Sequence, residues 1–215
     1  YTGLIPVFER AMSDNPLLQA CPLPALEEIE ASHVVPAISQ IMADNRAAID
    51  ALLAQPGEPG WHSLALPMET LGERLSDAWS PVSHLHGVCN ADALRTAYDE
   101  VLPLLTEYST ALGQNTLLYQ AYQALANADA FNSLPQAAQK AINNSLRDFR
   151  PSGVALGDAD KRRCAELQQR LAELTTRFAN NVLDATQGWN KQIDDVSELA
   201  GIPETALQGY RQAAQ

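Results

Sequence analysis

Ser32-His-Val-Val-Pro-Ala-Ile-Ser-Gln-Ile-Met-Ala-Asp-Asn-Arg-Ala-Ala-Ile-Asp-Ala-Leu-Leu-Ala54 is the stretch on which the fold class turns. Val34, Ile38, Ile41, Ile49 and Leu52 fall near one face of a 3.6-residue period, so the segment reads as an amphipathic helix and not as a strand. Ser32 offers an N-cap, and Pro36 is expected in the first turn, where an N–H has no helical partner to lose. Gln55-Pro-Gly-Glu-Pro-Gly60 ends the pattern.

The same period recurs down the chain. Leu64, Met68, Leu71, Leu75, Trp79, Val82 and Leu85 predict a second helix with a break or kink near Pro67 and Pro81. Asn90 is placed to cap a third, striped by Leu94, Tyr98, Val101, Leu105, Tyr108 and Leu112, bent at Pro103 and ended by Gly113. A fourth is expected over about 116–126, and a fifth from Ser133 through Leu134, Ala138, Ile142, Leu146 and Phe149 to Pro151-Ser-Gly153. The longest starts near Asp158 and carries Cys164, Leu167, Leu171, Leu174, Phe178, Val182 and Leu183 toward Gly188. Gly201-Ile-Pro203 introduces a last helix, with Pro203 suited to its first position.

These patterns predict an all-α fold, an elongated bundle of about six to seven helices. Residues 1–11 precede Met12-Ser-Asp-Asn and read as an upstream or appended segment. Residues 12–31, with prolines at 16, 22 and 24, predict an extended arm anchored by Leu17, Leu18 and Leu23 and turning near 25–29. Residues 32–188 form the helical domain, and 189–215 start a connection to a further part. No helix terminator follows Ala206–Gln215, so the pattern looks cut off there.

Composition narrows the function. The 26 acidic against 14 basic residues give a formal charge of −12 without a basic block, so nucleic acid is not an expected partner. No run is long and apolar enough for a membrane span or a signal peptide. Cys21, Cys89 and Cys164 are odd in number and far apart, as isolated thiols in a reducing compartment would be. The cytoplasm is the expected location.

No catalytic, cofactor-binding or metal-ligating residue is assigned. His33, His62, His84 and His86 are the candidate ligands, but none is followed by glutamate, and no His-Glu-x-x-His occurs. His84 and His86 point about 200° apart around a helix and cannot share one ion. Glu27-Glu28 and Asp194-Asp195 read as solvated surface, and Asp158 and Asp160 as charges favouring a helix start. Ser80, Ser83, Ser109 and Ser152 lie outside any nucleophile elbow, and no phosphate-cradling glycine loop exists. Asn180-Asn181 are poor helix formers inside a long helix, which points to a buried or inter-helix hydrogen bond.

Several strings carry more. His33-Val-Val-Pro-Ala37, Ser80-Pro-Val-Ser-His-Leu85, Leu104-Leu-Thr-Glu-Tyr-Ser-Thr110, Leu146-Arg-Asp-Phe149, Ser152-Gly-Val-Ala-Leu156, Asn180-Asn-Val-Leu-Asp-Ala-Thr186 and Leu199-Ala-Gly-Ile-Pro-Glu204 occur in order. By them the chain, from Asn15 to its end, resembles the thimet-oligopeptidase-like zinc metallopeptidases. The resemblance implies the N-terminal helical wall of a channel-type enzyme acting on short peptides, with zinc and its ligands beyond Gln215. The fragment would be inactive alone, would pair with a missing C-terminal catalytic part, and would self-associate through surface that part normally covers. The alternative reading is a stand-alone helical module that binds a peptide or protein segment in an apolar groove.

Overall fold

The computed structural model describes residues 14–19, 23–89 and 91–214. Among them are seven α-helices and no strand: α1 Ala31–Leu53, α2 Leu66–Cys89, α3 Asp92–Gly113, α4 Thr116–Asn127, α5 Gln136–Phe149, α6 Asp158–Gly188 and α7 Glu204–Ala213. The upstream segment 1–11, Cys21, Pro22 and Asn90 lie outside the described residues. The chain divides into two compact units, one up to Thr176 and one from Arg177 onward.

In the first unit α1 is the central element. Val34, Ala37, Ile38, Ile41, Met42, Asn45 and Ile49 are all buried along it, at the three- and four-residue steps that put them on one face. They pack with Ala78 and Val82 of α2, with Leu94, Ala97, Val101 and Tyr108 of α3, and with Leu17 from the arm. A second cluster joins Leu64, Ala65, Leu118, Tyr122, Leu125, Ile142, Phe149 and Val154, and Leu112 packs against both clusters. Arg74 of α2 is paired with Asp44 of α1 at 2.8 Å, and Gln40 donates to the other oxygen of Asp44 at 2.7 Å.

The helix boundaries depart from the sequence reading in ways that have local causes. The cap of α1 is Glu30, not Ser32: the backbone N–H of Glu30 donates to Nδ1 of His33 at 3.1 Å in a capping-box arrangement. Pro36 therefore stands in the second turn. The break foreseen near Pro67 takes the form of a π-helical turn, Trp61–Ala65, directly ahead of α2. Pro67 is the second residue of α2, directly after that turn. α2 is not interrupted at Pro81, which is buried between Ala78 and Val82, both packed in the core. α3 likewise runs on through Pro103, and its cap is Ala91, which has no capping side chain.

Ser133 does not start α5. It closes a 3-10 turn, Asp129–Ser133, with its hydroxyl donating to the Ala130 carbonyl at 2.7 Å, and Pro135 occupies the cap. In the arm, Asn15 accepts from Leu17 N–H and donates to the His33 carbonyl at 2.8 Å, seating Leu17 in the core. A 3-10 turn at Leu26–Glu28 is present, whereas Leu23 is 79% exposed and anchors nothing.

The long α6 differs most. None of its residues is buried, and Leu167, Leu171 and Leu174 lie open on it. Its first turn is nevertheless clamped in the first unit: Gln114 donates to the Lys161 carbonyl at 3.2 Å, and Lys161 Nζ donates to the Gln114 carbonyl and to Thr116 Oγ1.

The second unit holds the end of α6, a 3-10 turn at Val196–Leu199 and α7. Pro203 caps α7 instead of entering it, and Arg211 pairs with Glu204 at 2.8 Å. Trp189, Val196 and Tyr210 are exposed.

Candidate functional site

α2 and α3 bury one face of each helix in the core beside α1 and leave a neighbouring face uncovered. On α2 that second face carries Met68, Gly72, Leu75, Ser76 and Trp79; on α3 it carries Leu102, Leu105 and Leu112, beside the core residue Tyr108. Leu118 and Tyr122 of α4 and Ser145 and Phe149 of α5 close it from below, which leaves an open groove of about 1000 Å³ within the first unit. Glu69, Glu73 and Asp148 supply its charges, and no Lys or Arg is among its lining residues.

Three rings stiffen one wall. Trp79 stacks on Tyr98 with centroids 4.8 Å apart, and Tyr98 stacks in turn on buried His86 at 4.0 Å. At the floor, Tyr122 is almost fully enclosed and hydrogen-bonds Ser145. Burial pushes its phenol up to about 12; the Ser145 bond works against this, and the nearby charge of Glu69 adds to it.

Four of the groove's hydroxyls donate to nearby backbone carbonyls. Thr106 donates to the Leu102 carbonyl, Ser109 to Thr106, Ser145 to Ala141 and Ser152 to Asp148, at 2.9–3.1 Å. A serine that donates to a backbone carbonyl has no base to remove its proton. Asp148 is paired with Arg147 at 2.8 Å. The groove can therefore hold a ligand by apolar contact and shape, and these four hydroxyls are not poised as nucleophiles.

The four histidines are not brought together. His33 uses Nδ1 in the cap of α1, His86 is buried against Tyr98, and His62 and His84 are exposed on separate elements. Among the described residues, no group of three or more His, Cys, Asp or Glu side chains is placed to hold a metal ion. The donor set among the described residues does not fit zinc.

The acidic pairs also stay apart. Glu27 and Glu28 lie exposed on a 3-10 turn, and Asp158 and Asp160 sit in the first turn of α6. Asp195 accepts the Ser197 N–H at 2.9 Å, and its bonding to Ser197 holds its carboxyl below the usual range. Asn180 is half-buried and Asn181 exposed. Cys89 and Cys164 are free thiols.

The groove itself was not legible in advance, because Trp79, Leu105 and Tyr108 read as ordinary core stripe. The one signal was the pair of small residues Gly72 and Ser76, one helical turn apart beside Met68 and Trp79. A Cβ at Gly72 would meet nothing within 4 Å.

Comparison with known proteins adds what the geometry lacks. Residues 38–162 match the family described as neurolysin/thimet oligopeptidase, N-terminal domain. The chain is 47% identical over 201 residues to oligopeptidase A of Haemophilus influenzae, covering 94% of this chain and 29% of that protein. It is 43% identical to oligopeptidase A of Escherichia coli, covering 94% and 30%, and 34% identical to a probable cytosolic oligopeptidase A of Arabidopsis thaliana, covering 96% and 29%. The chain thus spans about three-tenths of the length of these curated relatives.

Proposed function

The chain belongs to the neurolysin/thimet oligopeptidase family, whose N-terminal domain it carries, and from that premise we propose that it is the non-catalytic helical part of a zinc-dependent endopeptidase that degrades short peptides. Its role is to wall the path by which peptides reach a reacting centre in the remainder of the protein. The groove between α2, α3, α4 and α5 carries this reading. An apolar surface with acidic edges, held by a packed core and a ring stack, suits an extended peptide and supplies no cleaving group of its own. Zinc and peptide hydrolysis belong, on this reading, to the part outside the chain, and the 215 residues alone are inactive.

The cytoplasm is the proposed compartment, supported by the free thiols of Cys89 and Cys164. No helix among the described residues is long and apolar enough to cross a membrane.

Gly72→Trp in the full-length protein tests the channel role, because the new ring enters open groove space and replacing a helical glycine does not weaken α2. KM for short peptides should rise several-fold with the melting temperature unchanged. Unchanged KM and melting would overturn the channel role, and peptide hydrolysis by the 215-residue chain would overturn its inactivity. Calorimetric binding of a peptide by a chain whose gene encodes nothing further would favour the stand-alone module.

A further inference from the structure

Along α6, Cys164, Leu167, Leu171 and Leu174 repeat at steps of three, four and three residues. That spacing is the seam of a helix paired with one other helix at a shallow angle, narrower than the stripe of a helix lying on a globular core. Only the first position is engaged: Cys164 is half-buried, with its Sγ 3.9 Å from the Ser152 carbonyl. Leu167, Leu171 and Leu174 are 54%, 59% and 40% exposed. The same stretch carries Arg163–Glu166 and Arg170–Glu173 ion pairs at 2.9 and 2.8 Å.

The seam is also held in place before any partner arrives. The reciprocal bonds between Gln114 and Lys161 fix the first turn of α6 to the corner between α3 and α4, so little ordering is left to oppose docking.

We propose that the Leu167–Leu171–Leu174 seam of α6 seats an amphipathic helix from the polypeptide that follows residue 215 in the full-length protein. This rests on the reading that the chain is one part of a longer peptidase, and the argument for this occupant is length. The relatives align over nearly the whole of this chain and have about seven-tenths of their own length left over, and three leucines in a row on a folded helix call for an apolar cover.

Thiol accessibility tests it. Leu171→Cys is introduced into a background carrying Cys21→Ser, Cys89→Ser and Cys164→Ala, once in the 215-residue chain and once in the full-length protein. Leu117→Cys on α4, 66% exposed and not part of the seam, is the control. With a water-soluble maleimide, the cysteine at 171 should react at least tenfold more slowly in the full-length protein than in the short chain, while that at 117 reacts alike in both. Equal rates at 171 would overturn the proposal. Both rates are read at a dilution where labelling of the short chain no longer depends on concentration, and protection at 171 in the full-length protein that itself disappears on dilution would overturn the proposal in favour of a second copy on the seam. Peptide hydrolysis measured on the same full-length protein decides the proposed function separately, since loss of that activity does not alter the labelling ratio.

Discussion

A Cβ placed on Gly113 would lie 2.6 Å from both Cβ and Oγ of Ser152, so the end of α3 and the turn between α5 and α6 touch with no room for a methyl group. Ser152 is fixed from behind by its bond to the Asp148 carbonyl, and the adjoining Gly153 has φ +87°, a conformation that disfavours any side chain. The contact lies at one edge of the groove, where both residues are among the lining.

Gly113→Ala should therefore destabilise the chain by about 1–3 kcal/mol, the usual cost of overfilling a packed contact. Ser152→Gly in the same chain removes the obstructing atoms and should recover much of the loss. A double-mutant cycle by urea denaturation reads the coupling. Additive single effects would show that the two residues are not in contact.

Ile38 is wholly enclosed at the centre of α1. Ile38→Ala removes buried methyl groups and leaves a cavity, and it should cost about 2–5 kcal/mol. The equivalent change at exposed Leu117 should cost much less. Similar melting temperatures for the two variants would contradict the core assignment.

Asn45 is also fully buried, and its Nδ2 donates to the Leu71 carbonyl at 3.0 Å. Asn45→Asp would face that carbonyl with a carboxylate and should cost about 3 kcal/mol or more at neutral pH. Burial lifts the folded-state pKa of that carboxyl above its unfolded value near 4, so the ionisation penalty is complete above the folded-state pKa, shrinks as pH falls from there toward about 4, and is gone below it, where the acid is neutral in both states. A penalty independent of pH would mean the new side chain reaches water.

Tyr122 makes stability sensitive to alkali. Its phenol ionises near 10.0 when unfolded and near 12 in the folded chain, so the folded state keeps the proton longer. Its contribution is fully present below pH 10 and is lost as pH rises from 10 to 12, amounting to about 2–3 kcal/mol. Tyr122→Phe should flatten that part of the stability–pH curve measured by chemical denaturation. An unchanged slope would place the effect on another group.

Lys161→Ala removes the two bonds that Nζ makes to Gln114 and Thr116. Amide exchange in the first two turns of α6 should accelerate several-fold, with a loss of about 1 kcal/mol or less in overall stability. Exchange confined to its original rate would show that the bond from the Gln114 side-chain amide to the residue-161 carbonyl suffices.

The helices were legible because each carries its own period. Ile38, Ile41 and Ile49, like Val101 and Tyr108, fall on buried faces whatever lies opposite them. Caps were less legible: Ser32 and Ser133 are good capping residues by type, yet Glu30 with His33, and Pro135, hold those positions. Which of several competent residues caps a helix depends on the angle at which the chain arrives, and that angle is set by packing. The prolines were legible only in part: Pro67 follows a π-helical turn, whereas α2 continues through Pro81. Pro81 removes one hydrogen bond, but Ala78 and Val82 pin α2 on both sides of it.

By itself the sequence determined an all-helical chain, the family strings from His33 to Glu204 and the lack of a His-Glu-x-x-His pair, because periodicity and motif spacing are properties of neighbouring residues. Only the tertiary structure decided which apolar stripes meet a partner. The buried stripe of α1 and the Leu94–Val101 face of α3 are covered, the Trp79–Leu105 side opens into a groove, and Leu167, Leu171 and Leu174 of α6 stay exposed. A stripe records that a helix has an apolar side; what that side lies against is fixed by residues far away along the chain.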